Sequence, residues 1–167
     1  VSGLIIGEPT SNIAYYAHKG SMSCVVTAKG KAAHSSMPHL GTNAVDILVD
    51  FVNEMKQEYK NIKEHDKVHE LDAVPMIEKH LHRKIGEEES HIYSGFVMLN
   101  SVFNGGKQVN SVPHKATAKY NVRTVPEYDS TFVKDLFEKV IRHVGEDYLT
   151  VDIPSSHDPV ASRSEER

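Results

Sequence analysis

The chain has 167 residues, of which 39% are hydrophobic and 25% charged, a composition typical of one soluble globular domain. A formal net charge of −4 argues against broad electrostatic binding to nucleic acid or to an anionic membrane. The single cysteine excludes an intrachain disulfide bond. The sequence shows neither a membrane-spanning apolar run nor the basic region of a signal peptide. From these features we expect a cytoplasmic location.

The first part of the chain predicts a strand, a histidine-containing loop and a long helix. In Ser21–Lys29, apolar and polar side chains alternate, as in a strand with one buried face. The loop GKAAHSSMPHLGTNAV follows, with His34 and His39 on either side of a proline. Thr42 is the expected N-cap of the helix. The helix has an apolar stripe at helical spacing, formed by Ala44, Val45, Ile47, Leu48, Phe51, Val52, Met55 and Tyr59.

The middle of the chain, from Lys60 to Ser90, is polar and rich in histidine. Its pattern predicts either an extension of the first helix or a separate turn, then a second short helix after Pro75. A strand is predicted from His91 to Phe103, before the turn NGGK.

The last part of the chain predicts a strand, a helix and a strand. Residues Ala116–Val125 alternate as a half-buried strand does. Asp129 or Ser130 is expected to cap an amphipathic helix that ends at Gly145. The segment YLTVDI is then a strand that Pro154 should end. The order β-α-β-β-α-β predicts an α+β fold of the ferredoxin-like type, with one antiparallel sheet and two helices on one face.

Four side chains are candidates for a functional site, and three of them also have a plainer interpretation. Glu8, in LIIGEPT, follows a short apolar strand and has the oxygen ligands that a metal needs, although a surface glutamate is more common at a turn. His34 can donate to an oxyanion or transfer a proton near neutral pH, although most loop histidines are only solvated. Asn110 offers an amide. The planar guanidinium of Arg123 can bind a carboxylate through two hydrogen bonds, although a surface ion pair is the commoner role.

Two other features of the sequence give competing interpretations. His65, His69, His80 and His82 are spaced as in a histidine-based metal site, but HDKVH lacks the glutamate of a zinc-protease helix, so incidental surface histidines are favoured. Cys24 alternates with core positions and is expected to be buried. A stand-alone ferredoxin-like module that only binds a small molecule or dimerises is one candidate function, because this fold hosts many functions.

The segments GEPT, AHKG, GKAAHSSMPHLGTNAV, GGKQVNSVP and NVR occur in this order along nearly the whole chain. In this respect the chain resembles the M20 family of metallopeptidases and deacylases, which includes succinyl-diaminopimelate desuccinylase and acetylornithine deacetylase. The long histidine segment before a helix is the specific one. The resemblance implies the lid, or dimerisation, domain of a homodimeric zinc amidohydrolase that hydrolyses an N-acyl amino acid such as N-succinyl-diaminopimelate or N-acetylornithine.

The resemblance also implies a role for each candidate residue. Glu8 would bind one of two catalytic zinc (or cobalt) ions. His34 would reach into the partner subunit's active site and stabilise the tetrahedral oxyanion. Asn110 and Arg123 would bind the carbonyl or carboxylate of the substrate. His39 matches no catalytic position of the family.

Other elements of the family's catalytic domain are missing from this sequence. The family uses a His-x-Asp pair, a Glu–Glu pair with the general base and a distant histidine, and EEES at Glu87–Ser90 is not that Glu–Glu pair. In the intact enzyme, the resemblance implies that a zinc-bridged water attacks the acyl carbon. We therefore expect this chain to be inactive alone. Residues 1–17 are expected to be a remnant of the zinc domain or a linker to it, and residues 18–153 the lid, with a polar insertion at about 60–90. Residues 154–167 are expected to be a linker back to the catalytic domain or a disordered tail.

Overall fold

The computed structural model describes residues 17–65 and 74–161. Within these ranges the chain forms six strands and four helices of more than one turn, with a short 3₁₀ turn at Pro38–Leu40. In chain order they are β1 (Ala17–His18), β2 (Ser21–Lys29), α1 (Ala44–His65), α2 (Val74–Leu81), α3 (Glu87–Ser94), β3 (Val97–Gly105), β4 (Lys115–Arg123), α4 (Ser130–Val144), β5 (Leu149–His157) and β6 (Val160–Ala161).

Four of the strands form one antiparallel sheet with the spatial order β3-β4-β2-β5. Helices α1 and α4 pack against each other and against this sheet. This order and the helix layer confirm the predicted ferredoxin-like α+β fold. The two short strands β1 and β6 pair separately, and they bring the ends of the described chain together.

The core lies between the sheet and the two helices. The alternation in β2 buries Met22, Cys24, Val26 and Ala28 completely. The rings of Phe51, Tyr120 and Phe137, contributed by α1, β4 and α4, meet at centroid distances of 5.3 to 6.3 Å. Burial of each large apolar side chain stabilises the fold by about 1.5–3 kcal/mol, so this layer contributes most of the stability.

The ends of α4 agree with the sequence prediction. Asp129 is the N-cap, and its side-chain oxygen accepts a hydrogen bond of 2.9 Å from the backbone N–H of Phe132. Gly145 follows the last turn, and its N–H donates to the carbonyl of Ile141 at 2.8 Å. Both groups satisfy backbone atoms that a helix end leaves unpaired.

The start of α1 lies one residue later than predicted. The side-chain oxygen of Asn43 accepts a hydrogen bond of 3.0 Å from the N–H of Val45, so Asn43 is the cap and the prediction of Thr42 was wrong. The backbone of Thr42 instead pairs with that of Lys31 through two hydrogen bonds of 2.9 Å. Among the described helices, none is long and apolar enough to cross a membrane.

The predicted strand His91–Phe103 was wrong in its first part. Residues Glu87–Ser94 form α3, and the strand begins only at Val97. The N–H of Gly95 donates to the carbonyl of His91 at 2.8 Å and closes the last helical turn. Three consecutive glutamates in the first turn of α3 favour a helix, because acidic groups interact well with its N-terminus.

The prediction that Pro154 ends the last strand was also wrong. Strand β5 continues through Pro154 to His157. It is an edge strand, and its pairing with β2 shifts in register between Ser23 and Val25. Proline lacks a backbone N–H, and an irregular edge strand tolerates that loss.

The polar middle of the chain contains α2 and α3, joined by a turn. The guanidinium of Arg83 donates to both carboxylate oxygens of Glu89 at 2.9 and 2.6 Å. The ammonium of Lys84 lies 2.6 Å from a carboxylate oxygen of Glu78. The turn after α2 is therefore tied by ion pairs to both helices.

Candidate functional site

The loop that carries His34 is joined to the segment that carries Asn110. The N–H of Ser35 donates to the carbonyl of Asn110 at 3.1 Å. His34 itself forms an isolated antiparallel bridge with Ser111. The structure thus brings two of the sequence-predicted site residues together at one end of the sheet.

The ring of His34 is exposed and held by a residue of its own loop. Its Nδ1 lies 2.8 Å from the hydroxyl of Ser36 and accepts a hydrogen bond of 3.2 Å from the N–H of Ser36. A backbone N–H can only donate, so Nδ1 is the acceptor and the neutral ring carries its proton on Nε2. No described residue bonds to Nε2, so its N–H can donate to a group outside the described residues.

Close packing fixes the shape of this loop. A Cβ atom on Gly41 would lie 2.7 Å from the carbonyl of Lys31 and 2.9 Å from the side chain of Ala33. The N–H of Val112 donates to the carbonyl of Ala33 at 2.8 Å. Only a residue without a side chain fits at Gly41, so the loop is held against the start of α1 and against the Asn110 segment.

Arg123 lies at the opposite end of the sheet from His34. It is the last residue of β4, exposed, and paired with Val97 of β3. Strand β4 begins at Lys115, near the His34 loop, and ends at Arg123. With a rise of about 3.3 Å per residue, the strand is about 26 Å long. Within one copy of the chain, Arg123 and His34 therefore do not belong to one compact site.

Sequence reasoning missed Ser36 and Ser111. Ser36 follows His34 by two residues, a spacing at which a serine commonly bonds to a neighbouring group, so the sequence contained a local signal. Ser111 meets His34 only through tertiary pairing, and nothing in the sequence near either residue indicates that contact.

Comparison with known families assigns most of the chain to one domain family. Residues 16–149 match the M20 peptidase dimerisation domain. The chain belongs to this family. Its fold is also that of solved M20 structures: it aligns with an M20 family metallo-carboxypeptidase from Sulfolobus solfataricus with a TM-score of 0.59, at 20% identity, over 90% of this chain and 40% of that one. A tripeptidase from Staphylococcus aureus aligns with a TM-score of 0.56 at 20% identity, over 90% of this chain and 33% of that one.

Curated relatives of this dimerisation domain are longer than the chain. A probable succinyl-diaminopimelate desuccinylase of Staphylococcus epidermidis is 99% identical over 162 residues, which are 97% of this chain and 40% of the relative. A protein of the same name from Staphylococcus aureus strain Mu50 is 51% identical, again over 97% of this chain and 40% of the relative. An acetylornithine deacetylase of Vibrio parahaemolyticus is 28% identical over 93% of this chain and 36% of its own length. The chain thus spans about 40% of the desuccinylase-named relatives.

The two edges of the dimerisation domain's sheet differ in character. Strand β3, VMLNSVFNG, contains no charge and no proline, and it exposes 58% of Leu99 and 43% of Phe103. Helix α1 exposes 41% of Val49, one turn after Val45, which lies next to the end of β3. Both edge strands have a shift in register, but only β5 carries a proline, Pro154, which disfavours pairing with a second chain. The β3 edge is therefore the one suited to a partner.

The described part of the dimerisation domain does not form a metal site. Among residues 17–65 and 74–161, no three histidine, cysteine, aspartate or glutamate side chains are close enough to hold a metal ion. These ranges include His65, His80 and His82, and the ring of His65 bonds instead to the carbonyl of Asn61 at 2.8 Å. Glu8 and His69 lie outside the described residues. The described residues alone do not fit a two-zinc centre.

Cys24 is a core residue of the domain. Its side chain is completely buried, and burial raises the pKa of the thiol to about 11. A nucleophilic cysteine needs a lowered pKa and access to its substrate. The structure therefore supports the packing role expected from the sequence.

Proposed function

We propose that this chain is the lid and dimerisation domain of a longer, cytoplasmic, homodimeric amidohydrolase that acts on N-acyl amino acids, with N-succinyl-diaminopimelate as the first candidate substrate. The names of the relatives at 99% and 51% identity support the substrate class. The similarity to the Sulfolobus enzyme, a metallo-carboxypeptidase, supports metal dependence. Glu8 stays our proposed ligand for one of two zinc ions, and the other ligands would come from outside this chain.

One observation carries this proposal: His34 and Asn110 lie at one end of the sheet, and Arg123 lies at the other. Two copies related by a two-fold axis would join their β3 edges antiparallel. Gly105 of one copy then lies near Val97 of the other. The His34 end of each copy would thus approach the Arg123 end of its partner.

This arrangement gives each reaction centre residues from both copies. The strands β1 and β6, which lead out of the described domain, lie at the Arg123 end, because Gly20 and Thr124 pair there through hydrogen bonds of 3.0 and 3.2 Å. The rest of the longer protein would join at this end, so Arg123 would serve its own subunit's centre. His34 and Asn110 would serve the partner's centre.

The chemistry of each group suits its proposed role. The Nε2–H of His34 would donate to the oxyanion that forms when the amide carbonyl is attacked. The amide of Asn110 would bind the substrate carbonyl, and the guanidinium of Arg123 would bind a substrate carboxylate in a bidentate manner. In our proposal residues 1–17 are a remnant of the zinc domain or a linker to it, and the lid runs from residue 18 to the end of β5 at His157. The residues after His157 are the linker back, and the chain alone is inactive.

A complementation experiment in the full-length protein tests the shared site. We would prepare His34→Ala and Arg123→Ala homodimers, both expected to be nearly inactive, and mix them under conditions that exchange subunits. A heterodimer then has one centre with both residues intact and one centre that lacks both. At statistical exchange of a symmetric dimer, activity should return to about a quarter of the wild-type value.

Other placements of the two residues predict a different outcome. If both act in the same subunit's centre, or both in the partner's, every centre of the heterodimer lacks one residue and activity does not return. Mixing two His34→Ala preparations that carry different affinity tags is the matched control for exchange itself. Exchange without recovery of activity would refute the proposal.

A further inference from the structure

Two lysines face each other at the His34 end of the sheet. Lys29 of β2 and Lys115 of β4 are direct partners in the strand register, and both are exposed. Like charges in such positions destabilise a sheet. Within the described residues, neither ammonium group lies within ion-pair distance of a carboxylate. This pair of positive charges therefore lacks a protein counterion in the part of the chain that the structure describes.

Lys115 also lines a hollow beside the β3–β4 connection. The hollow has a volume of about 500 Å³, and its basic lining residues are Lys107, His114 and Lys115. Among the described residues, no acidic side chain lines it. Gly106, at a tight turn with φ of +70°, forms part of its wall. A concave surface of this size with one sign of charge is suited to bind an anionic group of a small molecule.

The hollow adjoins the candidate site. Ser111 lines it and forms the bridge with His34. The carbonyl of His114 accepts a hydrogen bond of 2.8 Å from the N–H of Gly30, the residue that follows Lys29. A ligand whose amide carbonyl meets His34 could therefore place a second group in the hollow.

We infer that this hollow binds a terminal carboxylate of the substrate's acyl group, and that Lys107 and Lys115 make the site selective for acyl chains with a second carboxylate. The inference rests on the proposed function, since it assigns a specificity element to the same site. A lysine ammonium is a compact point charge that attracts a carboxylate without requiring a fixed orientation. Binding of the anion would also relieve the repulsion between Lys29 and Lys115.

A titration of the present chain tests the hollow without any catalysis. We would follow backbone amide signals by NMR while adding succinate, acetate or inorganic phosphate at low salt, because salt screens such contacts. We expect succinate to shift the signals of Gly106, Lys107 and Lys115. The double variant Lys107→Gln/Lys115→Gln should weaken succinate binding about tenfold or more, which corresponds to about 1.4 kcal/mol. Lys134→Gln, which removes one positive charge at an exposed position of α4, is the control for general charge.

Several results of this titration would overturn the inference. Succinate could leave these signals unshifted, or phosphate could bind as tightly as succinate and so identify a nonspecific oxyanion site rather than a carboxylate site. An equal loss of binding in Lys134→Gln would show that the shifts depend only on the net charge of the protein.

Kinetics of the full-length protein separate this inference from the proposed function. The double lysine variant should raise KM about tenfold for an N-succinyl substrate, leave kcat unchanged, and leave KM for an N-acetyl substrate unchanged. A fall in kcat with both substrates would refute a role in specificity. If complementation fails but succinate still binds the hollow, the shared-site proposal is wrong and the anion site stands. If complementation succeeds but succinate does not bind, only the anion site is wrong.

Discussion

The backbone N–H of Ser35 donates a hydrogen bond of 3.1 Å to the carbonyl oxygen of Asn110. This bond, with the bridge between His34 and Ser111, couples the histidine loop to the segment that follows β3. The position of the His34 ring therefore depends on a segment far away in the sequence. In our proposal this junction presents the Nε2–H of His34 to the partner subunit.

Replacement of His34 by alanine tests the proposed oxyanion role. In the full-length enzyme, loss of one such donor should lower turnover by about 10²–10³. Stability should change little, because the ring is exposed and bonds only to Ser36 among the described residues. His39→Ala, in the same exposed loop, should leave both turnover and stability nearly unchanged. Steady-state kinetics and thermal unfolding measure the two effects, and an unaltered rate in His34→Ala would exclude the assignment.

A charge on the β3 edge should prevent dimerisation. Phe103→Glu places a carboxylate on an edge strand that carries no charge in its natural sequence. A buried, unpaired charge costs several kcal/mol, so the variant should be monomeric at concentrations at which the natural chain is dimeric. Thr150→Glu, on the exposed side of the other edge strand, is the control and should remain dimeric. Sedimentation velocity distinguishes the two, and a dimeric Phe103→Glu protein would place the interface elsewhere.

Acid should loosen the connection between α2 and α3. The hydrogen bonds from Arg83 lower the pKa of Glu89 below its ordinary value of 4.5, and those from Lys84 and the N–H of Ile85 lower the pKa of Glu78. A lowered folded-state pKa means that these contacts stabilise the protein above pH 4.5 and are lost as the pH falls through the lowered values.

Hydrogen exchange of residues 74–94 measures that loosening. Glu89→Gln should lower protection against exchange at about pH 7, but by less than acid does in the natural chain, because acid also disrupts the contacts of Glu78. Glu88→Gln is matched in charge and helix position but has no such ion pair among the described contacts, and it should change little. Equal exchange in both variants would show that the ion pair does not hold this segment.

Cys24 should react with a thiol reagent only when the domain unfolds. Its sulfur is buried, and its pKa of about 11 leaves almost no thiolate at neutral pH. The reaction rate should therefore follow the unfolding rate as denaturant is added. A Cys24→Ala/Ser101→Cys variant, with the thiol on an exposed position of β3, should react at once. Fast labelling of the natural chain without denaturant would contradict the packing that we describe.

Thr124→Val should stabilise the domain. Thr124 is completely buried, and its hydroxyl has no hydrogen-bond partner among the described residues. Valine has nearly the same shape and removes the unpaired polar group, so we expect a gain of about 1 kcal/mol in the free energy of unfolding. Thr150→Val, at an exposed strand position, should change it by less than about 0.5 kcal/mol. Denaturant unfolding measures both values, and a loss of stability in Thr124→Val would reveal a partner for the hydroxyl.

Local patterns in the sequence determined most of the secondary structure and the fold class. The alternation in β2 and β4 and the helical spacing in α1 and α4 each depend on near neighbours. The cap at Asp129 and the stop at Gly145 are also local, because their hydrogen bonds span only a few residues. The ordered motifs were enough to indicate the family. The proposed roles of Glu8, His34, Asn110 and Arg123 stay predictions.

Only the tertiary structure decided which residues share one end of the sheet. Strand register pairs Lys29 with Lys115 and separates His34 from Arg123 by the length of β4, and register depends on contacts between segments far apart in the sequence. Tertiary context also decided that β5 continues past Pro154, since only its place at an edge makes that proline acceptable. Sequence periodicity specifies which face of a strand is buried, and the packing of the whole chain specifies what lies beside it.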